Sequence, residues 1–204
     1  LVRSEEPVRN EVEPFLTPVS LTLGPEPADL HTAPGIFAKG GLDEGSALLL
    51  KALESHTHPV TTALDFGCGI GVLAAGVQSK WPDAQITALD ADALAIKAFQ
   101  KSFPNMQSAV GDGWQAFTRL SKPKAGYDLI VSNPPLHRAT NTFDPSVMDA
   151  LIARSPDYLA TGGHLIFVTQ RQRAVTRALE SALGPANLIA ESGRFRVWSV
   201  RKTE

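Results

Sequence analysis

At 204 residues and 43% hydrophobic, the chain has enough apolar side chain for one well-filled domain, and its formal net charge of −2 does not announce a nucleic-acid binder. No apolar run approaches the roughly 20 residues of a membrane helix, and no secretory signal peptide is visible, so a soluble protein is expected. A single cysteine, Cys68, excludes an intrachain disulfide and suits the reducing cytoplasm, and the five histidines lack ligand spacing, so no metal is expected.

Residues 1–30 carry Pro7, Pro14, Pro18, Pro25 and Pro27 among six acids and two arginines. They read as a linker or N-terminal arm with a short strand at 20–23. Pro34-Gly35-Ile36-Phe37 and Gly40-Gly41 make a loop or hairpin, after which Asp43 caps a helix running through Leu48, Leu49, Leu50 and Leu53. Beyond it strand and helix alternate with short connections. Strands are predicted at 60–66, 85–90, 107–111, 127–132, 163–169, 187–191 and 195–200, and helices at 70–80, 92–102, 113–120, 145–160 and 171–183. Repeated βα units predict an α/β fold with a doubly wound, mostly parallel seven-stranded sheet. Ser192-Gly193 between the last two strands signals an antiparallel edge hairpin. Charge is uneven: from Arg119 onward there are 12 Lys/Arg against 7 Asp/Glu. Arg171, Arg173, Arg177, Arg194 and Arg196 fall in two short stretches, which suits a phosphate-contacting face or an ordinary solvated surface equally well.

The strand Thr62-Ala63-Leu64-Asp65-Phe66 runs into Gly67-Cys68-Gly69-Ile70-Gly71-Val72. Alternating glycines permit the positive φ of a tight turn and let a ligand lie against bare backbone, beside the first N–H groups of the next helix. Cys68 reads as a small space-filler within the loop. Gly69-Ile70-Gly71-Val72-Leu73-Ala74 also fits the dinucleotide pattern G-x-G-x-x-A, with Asp90 at the right distance to hold a ribose, so the loop alone leaves NAD open. Acids at the ends of three successive strands favour S-adenosylmethionine. Asp65 is placed to meet an ammonium group, Asp90 to take both ribose hydroxyls, and Asp112 to accept from an adenine amine. Any one of them is an ordinary cap or turn residue; the three in register trace a crevice along the sheet's carboxyl edge.

The fourth strand, Tyr127-Asp128-Leu129-Ile130-Val131-Ser132, is followed by Asn133-Pro134-Pro135-Leu136. The prolines end the ladder and push Asn133 into an extended conformation at the strand's carboxyl end. There the Asn133 side-chain carbonyl and the backbone carbonyl of Pro134 can together accept both hydrogens of a planar –NH2 group.

The segments Asp65-Phe66-Gly67-Cys68-Gly69-Ile70-Gly71 and Ser132-Asn133-Pro134-Pro135 resemble the class I, S-adenosylmethionine-dependent methyltransferases that act on an exocyclic or amide nitrogen. Upstream, Pro34-Gly35-Ile36-Phe37, Gly41-Leu42-Asp43-Glu44-Gly45-Ser46 and Leu48-Leu49-Leu50 resemble the entry to the small-subunit ribosomal RNA guanine-N2 methyltransferases. Gly193-Arg194-Phe195-Arg196-Val197 is similar to that family's last hairpin. The resemblance covers roughly residues 30–200 and implies methylation of a guanine N2 amine in ribosomal RNA, naked or within the small subunit, by a cytoplasmic enzyme. It makes residues 31–204 the methyltransferase domain and implies a second, N-terminal methyltransferase-like domain that this chain lacks. Phe37 and Asp43 would close over the cofactor beside Asp65, Gly67, Gly69, Gly71, Asp90 and Asp112, while Asn133, Pro134, Pro135 and Leu136 would form the catalytic segment.

One position departs from the family pattern. The residue after the second proline is an aromatic that stacks on the target base; here it is Leu136, which forfeits stacking worth about 1–3 kcal/mol. Phe37, Phe143 or Trp114 would have to take over, or the substrate differs, or activity has lapsed. Adenine N6, a protein glutamine amide, and a non-catalytic RNA- or protein-binding domain therefore stay open as alternatives.

Overall fold

Leucine-, valine- and isoleucine-rich runs fold as strands, the four that reach the site stopped by Gly67, Asp90, Gly111 and Asn133-Pro134, and the stretches between them fold as helices. The computed structural model describes residues 15–23, 27–36, 41–134 and 146–203. In chain order it contains β1 (Thr17–Thr22), β2 (Pro27–Thr32), α1 (Glu44–Glu54), β3 (Thr62–Phe66), α2 (Val72–Lys80), β4 (Gln85–Asp90), α3 (Ala93–Ser102), β5 (Gln107–Val110), β6 (Tyr127–Ser132), α4 (Ser146–Arg154), β7 (Leu159–Gln170), α5 (Thr176–Ala182), β8 (Ala186–Glu191) and β9 (Phe195–Arg201). Seven strands make one sheet in the order β5-β4-β3-β6-β7-β9-β8. The sheet is parallel from β5 to β7, and β9 runs antiparallel to both of its neighbours. The expected α/β, doubly wound architecture is thus the observed one. From β3 the chain steps outward through β4 to β5, then returns to lay β6 on the other side of β3. That reversal opens a crevice at the carboxyl ends of β3 and β6, where open α/β sheets hold ligands.

Successive residues of a strand face opposite ways, so each strand feeds two cores. On one face Leu64, Phe66, Ile130, Leu165 and Phe167 pack with Met148 and Leu151 of α4 and Leu179 of α5. On the other, Ala63, Leu129, Val131 and Ile166 pack with Leu49 and Leu53 of α1, Leu73 and Val77 of α2, and Ile96 and Phe99 of α3. Among the described residues, no helix is long and apolar enough to cross a membrane.

Four elements differ from expectation. Residues 17–32, read as part of a proline-rich arm, form the β1–β2 antiparallel pair. Pro18 and Pro27 sit near strand ends, where a missing N–H is tolerated. The pair rests on α3 through Leu21, Leu30, Ala95 and Ala98, and the Ser102 hydroxyl accepts from the His31 backbone N–H at 2.8 Å. Residue 31, the expected domain start, therefore lies inside β2. Residues 113–118 form a 3-10 helix, opened by Gly113 at φ 54; six residues gain little from α-helical propagation. The helix expected at 145–160 stops at Arg154, because Pro156 has no N–H for a continuing ladder, and β7 begins at Leu159. The last helix starts at Thr176 instead of 171, because the Arg171 N–H donates to the carbonyl of Arg194 and so extends the sheet.

Candidate active site

The loop after β3 needs its glycines for different reasons. Gly67, Gly69 and Gly71 all adopt positive φ (74, 53 and 95°). At Gly71 a Cβ would also lie 2.6 Å from the Phe103 ring and 2.8 Å from that of Phe99. At Gly69 a Cβ would meet nothing within 4 Å, so open space lies over that part of the loop. The loop is pinned by Gly67 and Cys68 N–H groups donating to the carbonyl of Leu89, at 2.8 and 3.0 Å. Cys68 is buried, and that burial, followed by the nearby Asp65 and Asp90, pushes its thiol well above the ordinary range, as befits a space-filler.

Two of the three strand-end acids are built into this frame. Asp65 is 1% exposed; one carboxylate oxygen accepts from the Ala74 N–H in the first turn of α2 at 3.0 Å, and the other is buried with no hydrogen-bond partner. Burial pushes its pKa up to about 7, against the Ala74 hydrogen bond and with a further upward push from Asp90. Asp90 ends β4 and accepts from the N–H groups of Gly69 and Asp92, each at 2.8 Å. Burial raises its pKa, while those backbone donors act the other way. A buried carboxylate oxygen without a proton donor is an energetic liability that a cationic group would relieve. The donor set therefore fits a zwitterionic, ribose-bearing cofactor: an orphaned acid at one point, a second acid tied to the loop, and bare backbone with open space between them.

Asn133 follows β6 directly, on the far side of the crevice. Its side-chain amide donates to Asp43 Oδ1 at 2.9 Å and Ser46 Oγ at 3.0 Å. Asp43 is the N-cap of α1, and the same oxygen accepts from the N–H groups of Gly45 and Ser46. A small cavity of about 50 Å³ is lined together by Asp43, Ser46, Gly67, Gly69, Leu73 and Asn133. Residues as far as 90 positions apart in the chain, Asp43 and Asn133, thus meet over the glycine loop. Pro134 is buried next to Asn133. Asp112 stands apart from this group: it is exposed and lines a second cavity, of about 370 Å³, with Phe66, Trp114, Val147 and Tyr158.

Phe37, Pro135 and Leu136 lie outside the described residues, as does Phe143. Trp114 is 7% exposed, stacks on Tyr158 at 4.1 Å between ring centroids, and donates its Nε1–H to the carbonyl of Ala150 at 2.8 Å. Its ring is already committed to the core wall. Of the grouped arginines, Arg173 pairs with Asp149 at 2.6 Å, Arg194 with Glu44, and Arg196 with Glu191 at 3.4 Å. Gly45 and Ser46 stand in the segment that resembles the family's entry, but without a role assigned from sequence. The available signal was spacing: three residues after an N-cap, a side chain returns to the cap's own side of the helix.

Comparison with known proteins bears on this geometry. The family model described as the methyltransferase small domain matches residues 27–199. A ribosomal RNA small subunit methyltransferase C of Pseudomonas paraeruginosa is 35% identical over 187 residues, covering 90% of this chain and 54% of the relative. One of the same name from Pseudomonas aeruginosa is 34% identical over 205 residues, covering 99% and 60%. The chain spans little more than half the length of these curated relatives. In structure, a T. thermophilus 16S rRNA N2 methyltransferase in complex with AdoMet and guanosine aligns with a TM-score of 0.78 at 23% identity, covering 92% of this chain and 51% of that one.

Proposed function

The chain belongs to the methyltransferase small domain family, and from that premise we propose that it transfers a methyl group from S-adenosylmethionine to the exocyclic N2 amine of a guanine in small-subunit ribosomal RNA. One observation carries the proposal: Asn133, at the carboxyl end of β6, lines the same small cavity as Gly67 and Gly69 of the cofactor-type loop. An amine-gripping carbonyl and a cofactor cradle then share one site. The relatives, ribosomal RNA small subunit methyltransferases C, supply the substrate class.

Asp65 would hold the cofactor's ammonium group and Asp90 its ribose hydroxyls, and Asp112, which opens on the second cavity, would take its adenine amine from that side. Gly67 and Gly69 would present bare backbone to the cofactor while Gly71 keeps the turn clear of Phe99 and Phe103, and Asp43, with Phe37 as the family resemblance implies, would close the site. Bound there, the cofactor's sulfonium supplies the methyl group. The carbonyls of Asn133 and Pro134 accept the two N2 hydrogens, which holds the amine with its lone pair toward the cavity, a gain mostly of orientation. As positive charge grows on N2, the same carbonyls stabilise it. No strong base is needed, because the product ammonium is acidic enough to shed its proton to water. Of the rest of the segment the sequence dictates only that Pro135 has no N–H and a fixed φ, and that Leu136 is apolar but not aromatic. The enzyme works in the cytoplasm, and a second, N-terminal domain completes it.

The test is transfer of labelled methyl to small ribosomal subunits and to naked ribosomal RNA, with nucleoside analysis. N2-methylguanosine made by the wild type and lost in Asn133→Ala, at nearly unchanged cofactor affinity, is the expected result. Label in N6-methyladenosine or in a protein glutamine would reassign the substrate. Wild-type turnover by Asn133→Ala would overturn the amine-gripping role.

A further inference from the structure

We propose that Asp43 and Ser46 are positioning residues that lock the Asn133 side chain in the one orientation that can receive an amine. The inference rests on the reading of Asn133 as the acceptor for the target nitrogen. An Asn side chain carries a donor and an acceptor of nearly equal size, and only its surroundings decide which way it faces. Here both hydrogens of the Asn133 amide find acceptors, Asp43 Oδ1 at 2.9 Å and Ser46 Oγ at 3.0 Å. A carboxylate can only accept, so a half-turn of the amide would bring two oxygens face to face with no proton between them. The carbonyl oxygen is therefore left to the substrate.

The clamp is itself held. Asp43 Oδ1 accepts from the Gly45 and Ser46 N–H groups at 3.0 and 3.1 Å, which fixes the carboxylate on the first turn of α1. Ser46 is 5% exposed. Gly45 makes the approach possible, since a Cβ there would lie 3.1 Å from Asn133 Oδ1 and 3.2 Å from its Nδ2. Hydrogen bonds in series polarise one another, so the Asp43 carboxylate also increases negative charge on the Asn133 carbonyl as charge develops on the amine. Helix α1 thus contributes to the chemistry although it does not touch the amine.

The decisive experiment combines kinetics with an activity-independent readout. Ser46→Ala removes one acceptor and leaves the cap intact. Its kcat should fall about 3- to 10-fold, with KM for RNA and cofactor Kd within about twofold, the pattern of an interaction felt in the transition state. Asp43→Ala removes the second acceptor together with the cap and should cost about 10- to 100-fold in kcat, whereas Asp43→Asn, whose amide oxygen can stand where Oδ1 stands, should recover most of that loss. Asn133→Asp places two carboxylates face to face; combining it with Asp43→Asn restores one donor opposite one acceptor. The double variant should exceed Asn133→Asp alone by about tenfold, which a purely structural role for Asp43 does not predict. Wild-type kcat in both Ser46→Ala and Asp43→Ala, or a double variant no better than Asn133→Asp, overturns the proposal. If the wild type methylates no RNA, the function fails separately, and the side-chain NH2 resonances of Asn133 decide the clamp. Their displacement by Ser46→Ala and Asp43→Ala supports it, and their constancy overturns it.

Discussion

Both edges of the same sheet bury ionisable groups, and burial pushes both sets toward their neutral forms from opposite sides. At the carboxyl edge Asp65 and Asp90 are raised, Asp65 to about 7, chiefly by desolvation. At the amino edge His56, His58 and His164 gather with ring centroids 4.7–5.4 Å apart, and His56 and His164 are lowered to about 4, again chiefly by desolvation. After burial, His164 and His58 and then Lys80 add to the effect on His56, and His58 and then Arg201 to that on His164. The acids sit among backbone donors beside open space over a glycine loop. The histidines pack ring against ring, with the Nε2 atoms of His56 and His164 buried and unpartnered. Among the described residues no group of three or more His, Cys, Asp and Glu is arranged to hold a metal ion. The same desolvation therefore prepares a ligand site at one edge and only penalises protonation at the other.

The contrast can be broken most forcefully at Gly71. A side chain there must adopt φ 95 and displace Phe99 and Phe103, so Gly71→Ala should lose about 3 kcal/mol of stability and all measurable cofactor binding. Denaturant unfolding and calorimetric titration check both. Asp90→Ala removes an acceptor from Gly69 and Asp92 and should weaken cofactor binding about 100-fold, close to two charge-assisted hydrogen bonds. Unchanged affinity would remove Asp90 from the ribose.

Subtler tests use pH. The folded pKa of Asp65 lies above its unfolded value, so its contribution to stability declines as pH rises from about 4 to about 7. Asp65→Asn should therefore hold or raise Tm at pH 8. Pairing with an ammonium group requires the ionised acid, so wild-type cofactor affinity should climb up to about pH 7 and then level off, a slope that Asp65→Asn removes. His56 and His164 run the other way. Their folded pKa values lie below the unfolded one, so the stability they contribute is complete above about pH 6.5 and is lost as pH falls toward 4. His56→Gln with His164→Gln should flatten the fall in Tm between pH 6.5 and 4.5. The smallest effect is at neutral pH, where that pair of changes should alter cofactor affinity less than about twofold, being at the far edge of the sheet.

The carboxyl edge was legible in sequence wherever the signal was local. Alternating glycines after a Leu-Asp-Phe strand end, an acid ending the next strand, and prolines after β6 each state their backbone geometry within a few residues. The amino edge was not. His164 reaches His56 and His58 only because β7 packs into the sheet more than 100 residues later, and no spacing in the chain encodes that meeting. The Asp43–Ser46–Asn133 contact was hidden in the same way, although Asp43 itself stood out as a cap. The β1–β2 pair was masked by its prolines, whose turn-forming reputation outweighed the alternation that buries Leu21 and Leu30. Pro156 argued locally against a helix to residue 160, but the apolar spacing through Leu159 concealed it.

The placement of β9 bears on how the molecule is made. β9 follows β8 in the chain, yet it lies between β7 and β8. During synthesis β8 leaves the ribosome with no strand to join, and β7 keeps an open edge until Phe195–Arg201 has cleared the exit tunnel. Until then the nascent chain displays a row of unpaired N–H and C=O groups, the surface most prone to wrong partners. A stalled or truncated translation product ending before β9 should need chaperone protection, whereas the finished chain closes its own gap.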